Sequence, residues 1–121
     1  MANTDKGLDY LLELNGEILA QEHGCWIKIE ARRVAKVDDR FPHGIKYSLT
    51  LHDRSGIRLL GFDNAHAIST RKKGRYKART VVYDHKHIDP KDKGIPYVFE
   101  SADQLLSDFF EAVDRALKEM T

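Results

Sequence analysis

Two short clusters in this chain gather residue types that can move protons. One is Gly61-Phe62-Asp63-Asn64-Ala65-His66, the other Tyr83-Asp84-His85-Lys86-His87. If the second cluster is extended, residues two apart share a face. His85 and His87 then project with Tyr83, while Asp84 and Lys86 project from the other side. An unperturbed imidazole titrates near pH ~6.5, so at neutral pH one ring can accept a proton while the other donates one. That division of labour suits RNA cleavage. The 2′-hydroxyl must lose a proton, the leaving 5′-oxygen must gain one, and cations must hold the charge that builds on phosphorus; Lys86, Arg79 and Arg58 are the candidates for the last task. The same residues admit a second chemistry, because His-x-His with Asp63 is an N/O donor set for a divalent ion. They also admit a third reading, as ordinary polar side chains at strand ends, with Asp63 and Asn64 bonding loop amides. Residue types and spacing leave all three open.

Charge is distributed unevenly along the chain. Of 121 residues, 20 are Lys or Arg and 19 Asp or Glu, for a net charge of +1. Yet residues 1–24 carry −4, residues 25–50 carry +3, residues 71–97 carry +6 and residues 98–121 carry −4. A fold presents regions rather than averages, so the middle of the chain can hold a positive field. Its densest part is Arg71-Lys72-Lys73-Gly74-Arg75-Tyr76-Lys77-Ala78-Arg79, with six cations and no anion. A charge run of this kind is often no more than a solvated loop. As a functional element it reads as an arm for nucleic acid: Arg71, Lys72, Lys73, Arg75, Lys77 and Arg79 neutralise phosphates, and Tyr76 stacks on a base.

Hydrophobic periodicity indicates what must position these groups. Around Asn15-Gly16, Tyr10, Leu12 and Leu14 alternate on one side and Ile18 and Ala20 on the other. Asn-Gly favours a type I′ turn, so the pattern predicts a hairpin over residues 8–22. Cys25, Ile27, Ile29 and Ala31 alternate with polar residues, as do Ile45, Tyr47, Leu49 and Leu51; both segments are strands with one wet face. Residues 53–56 form a turn and 57–64 the hairpin partner. Residues 65–79 read as a long basic loop, residues 80–85 as β-like, and 97–99 as a short strand. Ser101-Ala102-Asp103-Gln104 is a capping box in which serine takes the amide of Gln104 and the glutamine reaches back. Behind it, Leu105, Leu106, Phe109, Phe110, Val113, Leu117 and Met120 recur at helical spacing. The expected architecture is α+β: a curved antiparallel sheet of about six short strands with one C-terminal amphipathic helix packed across it, in a single domain over residues 1–121.

Composition excludes several classes. No run approaches the ~18 to 20 apolar residues of a membrane span, and the N-terminus has no apolar segment behind a basic start, so neither membrane nor secretory leader is expected. Cys25 is the single cysteine. It rules out an intrachain disulfide and a multi-cysteine zinc site, and it reads as a small core residue in a cytoplasmic protein. Gly-x-Gly-x-x-Gly, Walker and Gly-x-Ser-x-Gly motifs are missing, which leaves nucleotide-cofactor and serine-hydrolase chemistry without support.

Taken together, Lys46-Tyr47-Ser48-Leu49, Phe62-Asp63-Asn64, Asp84-His85-Lys86-His87, Pro96-Tyr97-Val98-Phe99 and Leu105-Leu106-Ser107-Asp108-Phe109 resemble the TumE-like family of small bacterial and archaeal proteins, from about residue 8 to 118. Family members often carry Lys-Gly before the Asp-His-x-His element; here Val82-Tyr83 stand there, and Lys73-Gly74 lies earlier. The resemblance implies the toxin of a type II toxin–antitoxin pair, with a helix-turn-helix antitoxin as partner, and marks Asp63, Asn64, His85 and His87 as motif positions. Joined to the residues, it yields an expectation of a metal-independent endoribonuclease without a cofactor. His85 and His87 are base and acid, Asp63 and Asn64 orient an imidazole or a phosphate, and Lys86, Arg79 and the 71–77 cations hold the RNA backbone. The rivals are a non-catalytic nucleic-acid-binding or translation-blocking module, a metal-dependent nuclease, and a pure interaction protein. An open sheet edge leaves room for a homodimer.

Overall fold

The fold is drawn from a computed structural model, which describes residues 7–35, 43–64, 68–71, 79–82, 85–87 and 95–120. Helix α1 (Leu8–Glu13) leads to β1 (Ile18–Ala20), a single 3-10 turn at Glu22–Gly24, and the long strands β2 (Trp26–Arg33) and β3 (Ile45–His52). Then come β4 (Arg58–Asp63), β5 (Ile68–Arg71), β6 (Arg79–Val82), β7 (His85–His87), β8 (Ile95–Pro96) and α2 (Ala102–Glu119). Six strands form one antiparallel sheet in the order β1-β2-β3-β4-β7-β8, and β5 pairs with β6 in a separate ribbon. The expected sheet of about six strands with a C-terminal helix is present.

Period-two patterning explains the core. Ile27, Ile29 and Ala31 of β2, Ile45, Tyr47, Leu49 and Leu51 of β3, and Leu60 and Phe62 of β4 are all buried. Apart from Ile45, which pairs with Arg33 and stands two residues before Tyr47, they are also register partners, so they share one face of the sheet. The α2 stripe of Leu105, Leu106, Phe109, Val113 and Leu117 is buried in the same core. Phe109 meets Phe62 edge to face at 5.9 Å, a geometry favoured by the ring quadrupoles. Ser101 Oγ accepts the Gln104 amide at 3.0 Å, as the cap predicts. The glutamine head does not reach back, however; its Nε2 donates to Asp108 Oδ1 at 2.8 Å, one turn on.

Three sequence expectations are corrected. Residues 8–13 are helical rather than the first arm of a hairpin. Leu8, Leu11 and Leu12 lie on one helical face against the core, and that burial outweighs the local turn preference. Asn15-Gly16 ends the helix: Gly16 takes φ +88° while Asn15 does not share the positive φ that a type I′ turn needs at both central residues. The Asn15 side chain instead accepts the Ala31 amide at 2.9 Å, and the Gly16 amide donates to the Ile29 carbonyl at 2.7 Å. Second, part of the expected basic loop is strand, since β5 and β6 bracket residues 72–78; the β-like run at 80–85 is divided between β6 and β7, which belong to different sheets. Third, Tyr97-Val98-Phe99 is not a strand. The ladder partner of β7 is Ile95–Pro96, at the sheet edge where a proline without an amide is tolerated. The alternation after it records anchoring: Tyr97 and Phe99 turn inward while Val98 is 76% exposed.

Cys25 is 2% exposed, with Sγ 3.7 Å from the Met120 sulfur. Burial, with Asp53 nearby, raises its thiol pKa, which disfavours the reactive thiolate at neutral pH. Alkylation by iodoacetamide at pH 7.5 is expected to be negligible in the folded protein and complete in urea, as read by intact mass.

Candidate active site on the open sheet face

The two clusters meet because β4 and β7 are hydrogen-bonded neighbours. Their register sets Gly61 against His87, Phe62 against Lys86 and Asp63 against His85. Since paired residues share a face and successive ones alternate, Phe62 and Lys86 lie on the α2 side, whereas Gly61, Asp63 and His87 lie on the side away from α2. His87 Nε2 is 3.6 Å from Asp63 Oδ2. This is ion-pair range, longer than a hydrogen bond. Asp63 is 6% and His87 7% exposed, so a substrate can reach only an edge of this pair. The backbone of His85 stands in register with Asp63.

Asn64 follows Asp63 and is 0% exposed. Its Oδ1 accepts the Tyr47 amide and its Nδ2 donates to the Ile45 carbonyl, both at 2.9 Å. Its own amide donates to the Tyr47 carbonyl at 3.3 Å. Both ends of the side-chain amide are therefore spent on β3, and Asn64 fastens the strand end that carries Asp63.

Register partners continue from the pair across the sheet. Glu30, Ser48 and Asp63 form one transverse row, ending at the position of His85. Lys28, Thr50, Gly61 and His87 form the next, and Trp26, His52 and Arg58 a third. A bulge creates the last alignment: Leu51 pairs with Leu60 but His52 pairs with Arg58, leaving Leu59 as the extra residue. The bulge turns Arg58 onto the open face. A Cβ added to Gly61 would stand 3.0 Å from Thr50 Cγ2, 3.2 Å from the Leu49 carbonyl oxygen and 3.5 Å from Arg58 Cδ. The Arg58 stem thus crosses above the residue paired with His87. Gly61→Val is expected to destabilise the fold by about 1–3 kcal/mol, because the Leu49 backbone cannot yield; a urea denaturation midpoint measures it.

Of the expected phosphate-binding residues, Lys86 is not brought to the imidazoles. Strand alternation sends it to the other face, into a groove of about 230 Å³ lined also by Phe62, Tyr97, Asp108, Glu111 and Arg115. There Tyr97 Oη donates to Asp108 Oδ2 at 2.5 Å. Arg71 and Arg79 are backbone register partners at one end of the β5–β6 ribbon. Lys72, Lys73, Arg75, Tyr76 and Lys77 lie outside the described residues. Among the described residues no group of three or more His, Cys, Asp or Glu side chains is placed to hold a metal ion, and no helix is long and apolar enough to cross a membrane.

Sequence reasoning missed several groups on the open face. Trp26 and His52 stack with ring centroids 4.1 Å apart and planes 12° from parallel. His52 Nδ1 is 3.2 Å from the Gly56 carbonyl and Nε2 is 2.8 Å from Thr50 Oγ1. A carbonyl only accepts, so Nδ1 carries the proton in the neutral ring and Nε2 accepts the threonine hydroxyl. Arg32 and Lys46, also register partners, line a cleft of about 470 Å³ with Asn15, Glu30 and Ser48. The signal for these cations was the wet phase of two period-two strands within the +3 segment, but their alignment with Asp63 depends on strand register.

The described features are those of a small α+β protein with a buried carboxylate–imidazole pair under a cation-bearing sheet face. The family model described as Toxin TumE matches residues 11–117, and the chain belongs to that toxin family. Membership makes it the toxin of a toxin–antitoxin system and implies a cognate antitoxin as partner. No curated protein and no solved structure matches it.

Proposed function

We propose that this toxin acts on RNA in the cytoplasm as a metal-independent endoribonuclease, held in check by a helix-turn-helix antitoxin. The observation that carries this reading is the Asp63–His87 pair, with His85 in register beside Asp63 and Arg58 crossing the neighbouring Gly61. In the proposed step one of the two histidines takes the proton of a ribose 2′-hydroxyl. The 2′-oxygen then bonds to phosphorus, the bond to the 5′-oxygen breaks, and the other histidine protonates that leaving oxygen. The products are a 2′,3′-cyclic phosphate and a 5′-hydroxyl. Asp63 orients His87 from 3.6 Å. Asn64 positions the pair through the β3 backbone, and Arg58 takes the role of holding phosphorane charge that Lys86 is too far round the sheet to fill. The Arg71–Arg79 segment supplies longer-range attraction for the polyanion.

A second reading, a nucleic-acid-binding module without catalysis, is favoured by the 7% exposure of His87. One experiment separates them. The chain is expressed with and without its adjacent gene, and purified protein is incubated with total RNA in EDTA. Growth arrest relieved by the neighbour, with cyclic-phosphate ends in EDTA, supports the nuclease. Salt-sensitive RNA binding without products supports the second reading, and cleavage only with a divalent ion removes the metal-free mechanism.

A further inference from the structure

We propose that the open sheet face, between the Trp26–His52 stack and the Arg32–Lys46 cleft, is the seat of single-stranded RNA, and that Trp26 carries a stacked base; this rests on the RNA reading above.

Among the described residues four cations occupy this face: Lys28, Arg32, Lys46 and Arg58, each on a wet strand position in register with the next strand. The exposed anion among the described residues of these rows is Glu30, since Asp63 is buried. The imbalance matches a phosphate chain. The stacking platform has its own geometry. Ala20 of β1 is the register partner of Trp26 on the side away from His52, it is exposed, and β1 is the edge of the sheet. Parallel rings 4.1 Å apart cover one face of the indole with His52; the other face is turned toward the β1 side, where the small Ala20 side chain is the register partner, and there the proposal seats a flat base. His52 is held from both nitrogens, so the stack is formed before a ligand arrives. Strand spacing and rise put Trp26 roughly 16 Å from His87 across the face. A strand anchored at Trp26 and running past Lys28 and Arg58 therefore passes its backbone over the Asp63–His87 edge.

Trp26 is the chain's only tryptophan, so its fluorescence reports the proposed contact directly. The full chain is titrated with a short single-stranded RNA of mixed sequence bearing a dye, and intrinsic fluorescence and dye anisotropy are both followed. Tryptophan quenching that saturates with the anisotropy change is expected. Trp26→Ala should weaken binding roughly 5- to 150-fold, the range for one base–aromatic stack, and Trp26→Phe should restore much of it. The surface variant Lys28→Glu/Lys46→Glu, chosen because it leaves the core untouched, should weaken binding at least ~10-fold and flatten the dependence on log salt by about two. If both variants bind as wild type while Arg71→Glu/Arg79→Glu does not, RNA sits elsewhere: this proposal falls and the RNA reading stands. If the charge-reversed variant keeps RNA but loses the adjacent-gene protein, the face belongs to that protein, and the proposal is again overturned. If the wild-type chain binds no RNA, both readings fail together.

Discussion

If the proposed endoribonuclease step is right, His87→Gln is expected to lower the rate of RNA cleavage by about 10²–10⁴-fold, the range for loss of a general acid or base, and to abolish growth arrest on induction. Glutamine keeps a polar head of similar reach beside Asp63 but cannot shuttle a proton at neutral pH. Its effect on folding should be small. His87→Ala is the cruder change, because it removes a partner from a carboxylate that is 6% exposed, and breaking a buried pair from one side is strongly destabilising. Comparing the two separates chemistry from stability. Initial rates with purified protein, beside urea denaturation of the same samples, make the measurement. A folded His87→Gln protein that cleaves like wild type would remove His87 from the mechanism. Asp63→Asn should follow His87→Gln with a smaller loss of rate, since in the proposed step it alters the group that orients His87 but removes no proton carrier.

Asn64→Leu is expected to have the largest effect on stability, about 3–5 kcal/mol, or roughly 10–20 °C in melting temperature. The Tyr47 amide and the Ile45 carbonyl both lose their bond to the Asn64 side chain. The site is fully buried, so water cannot replace it, and each orphaned group costs about 1–3 kcal/mol. Asn64→Asp should be similarly harmful, because a carboxylate can keep the amide of Tyr47 but faces the Ile45 carbonyl oxygen to oxygen. Thermal unfolding by circular dichroism reads both. The remaining activity is equally informative. If Asn64 acts through the backbone, the fraction that is folded keeps its rate per molecule; a loss beyond the folded fraction would give the amide a direct part in the reaction.

The period-two alternation of residues 25–32 and 45–51 was sufficient to place the sheet, its buried face and its wet face, because burying alternate side chains leaves an extended chain no other choice. The Ser101 cap and the stripe from Leu105 to Leu117 likewise placed α2, since capping and 3.6-residue periodicity are local. Asn15-Gly16 shows the limit of such rules. The dipeptide states that the chain turns, but whether a helix or a strand precedes it was settled by the contact of Leu8, Leu11 and Leu12 with the core. The candidate site divides the same way. Residue types nominated Asp63, Asn64, His85 and His87, and spacing put Lys86 across from the histidines. Register alone assigned the rest: it brought His87 beside Asp63, gave the Asn64 amide to β3, stacked Trp26 on His52, and through one bulge turned Arg58 toward Gly61. Strand pairing between distant segments is a property of the assembled sheet. A shift of one residue would reverse every side chain, and no local pattern in either strand states which partner it will face.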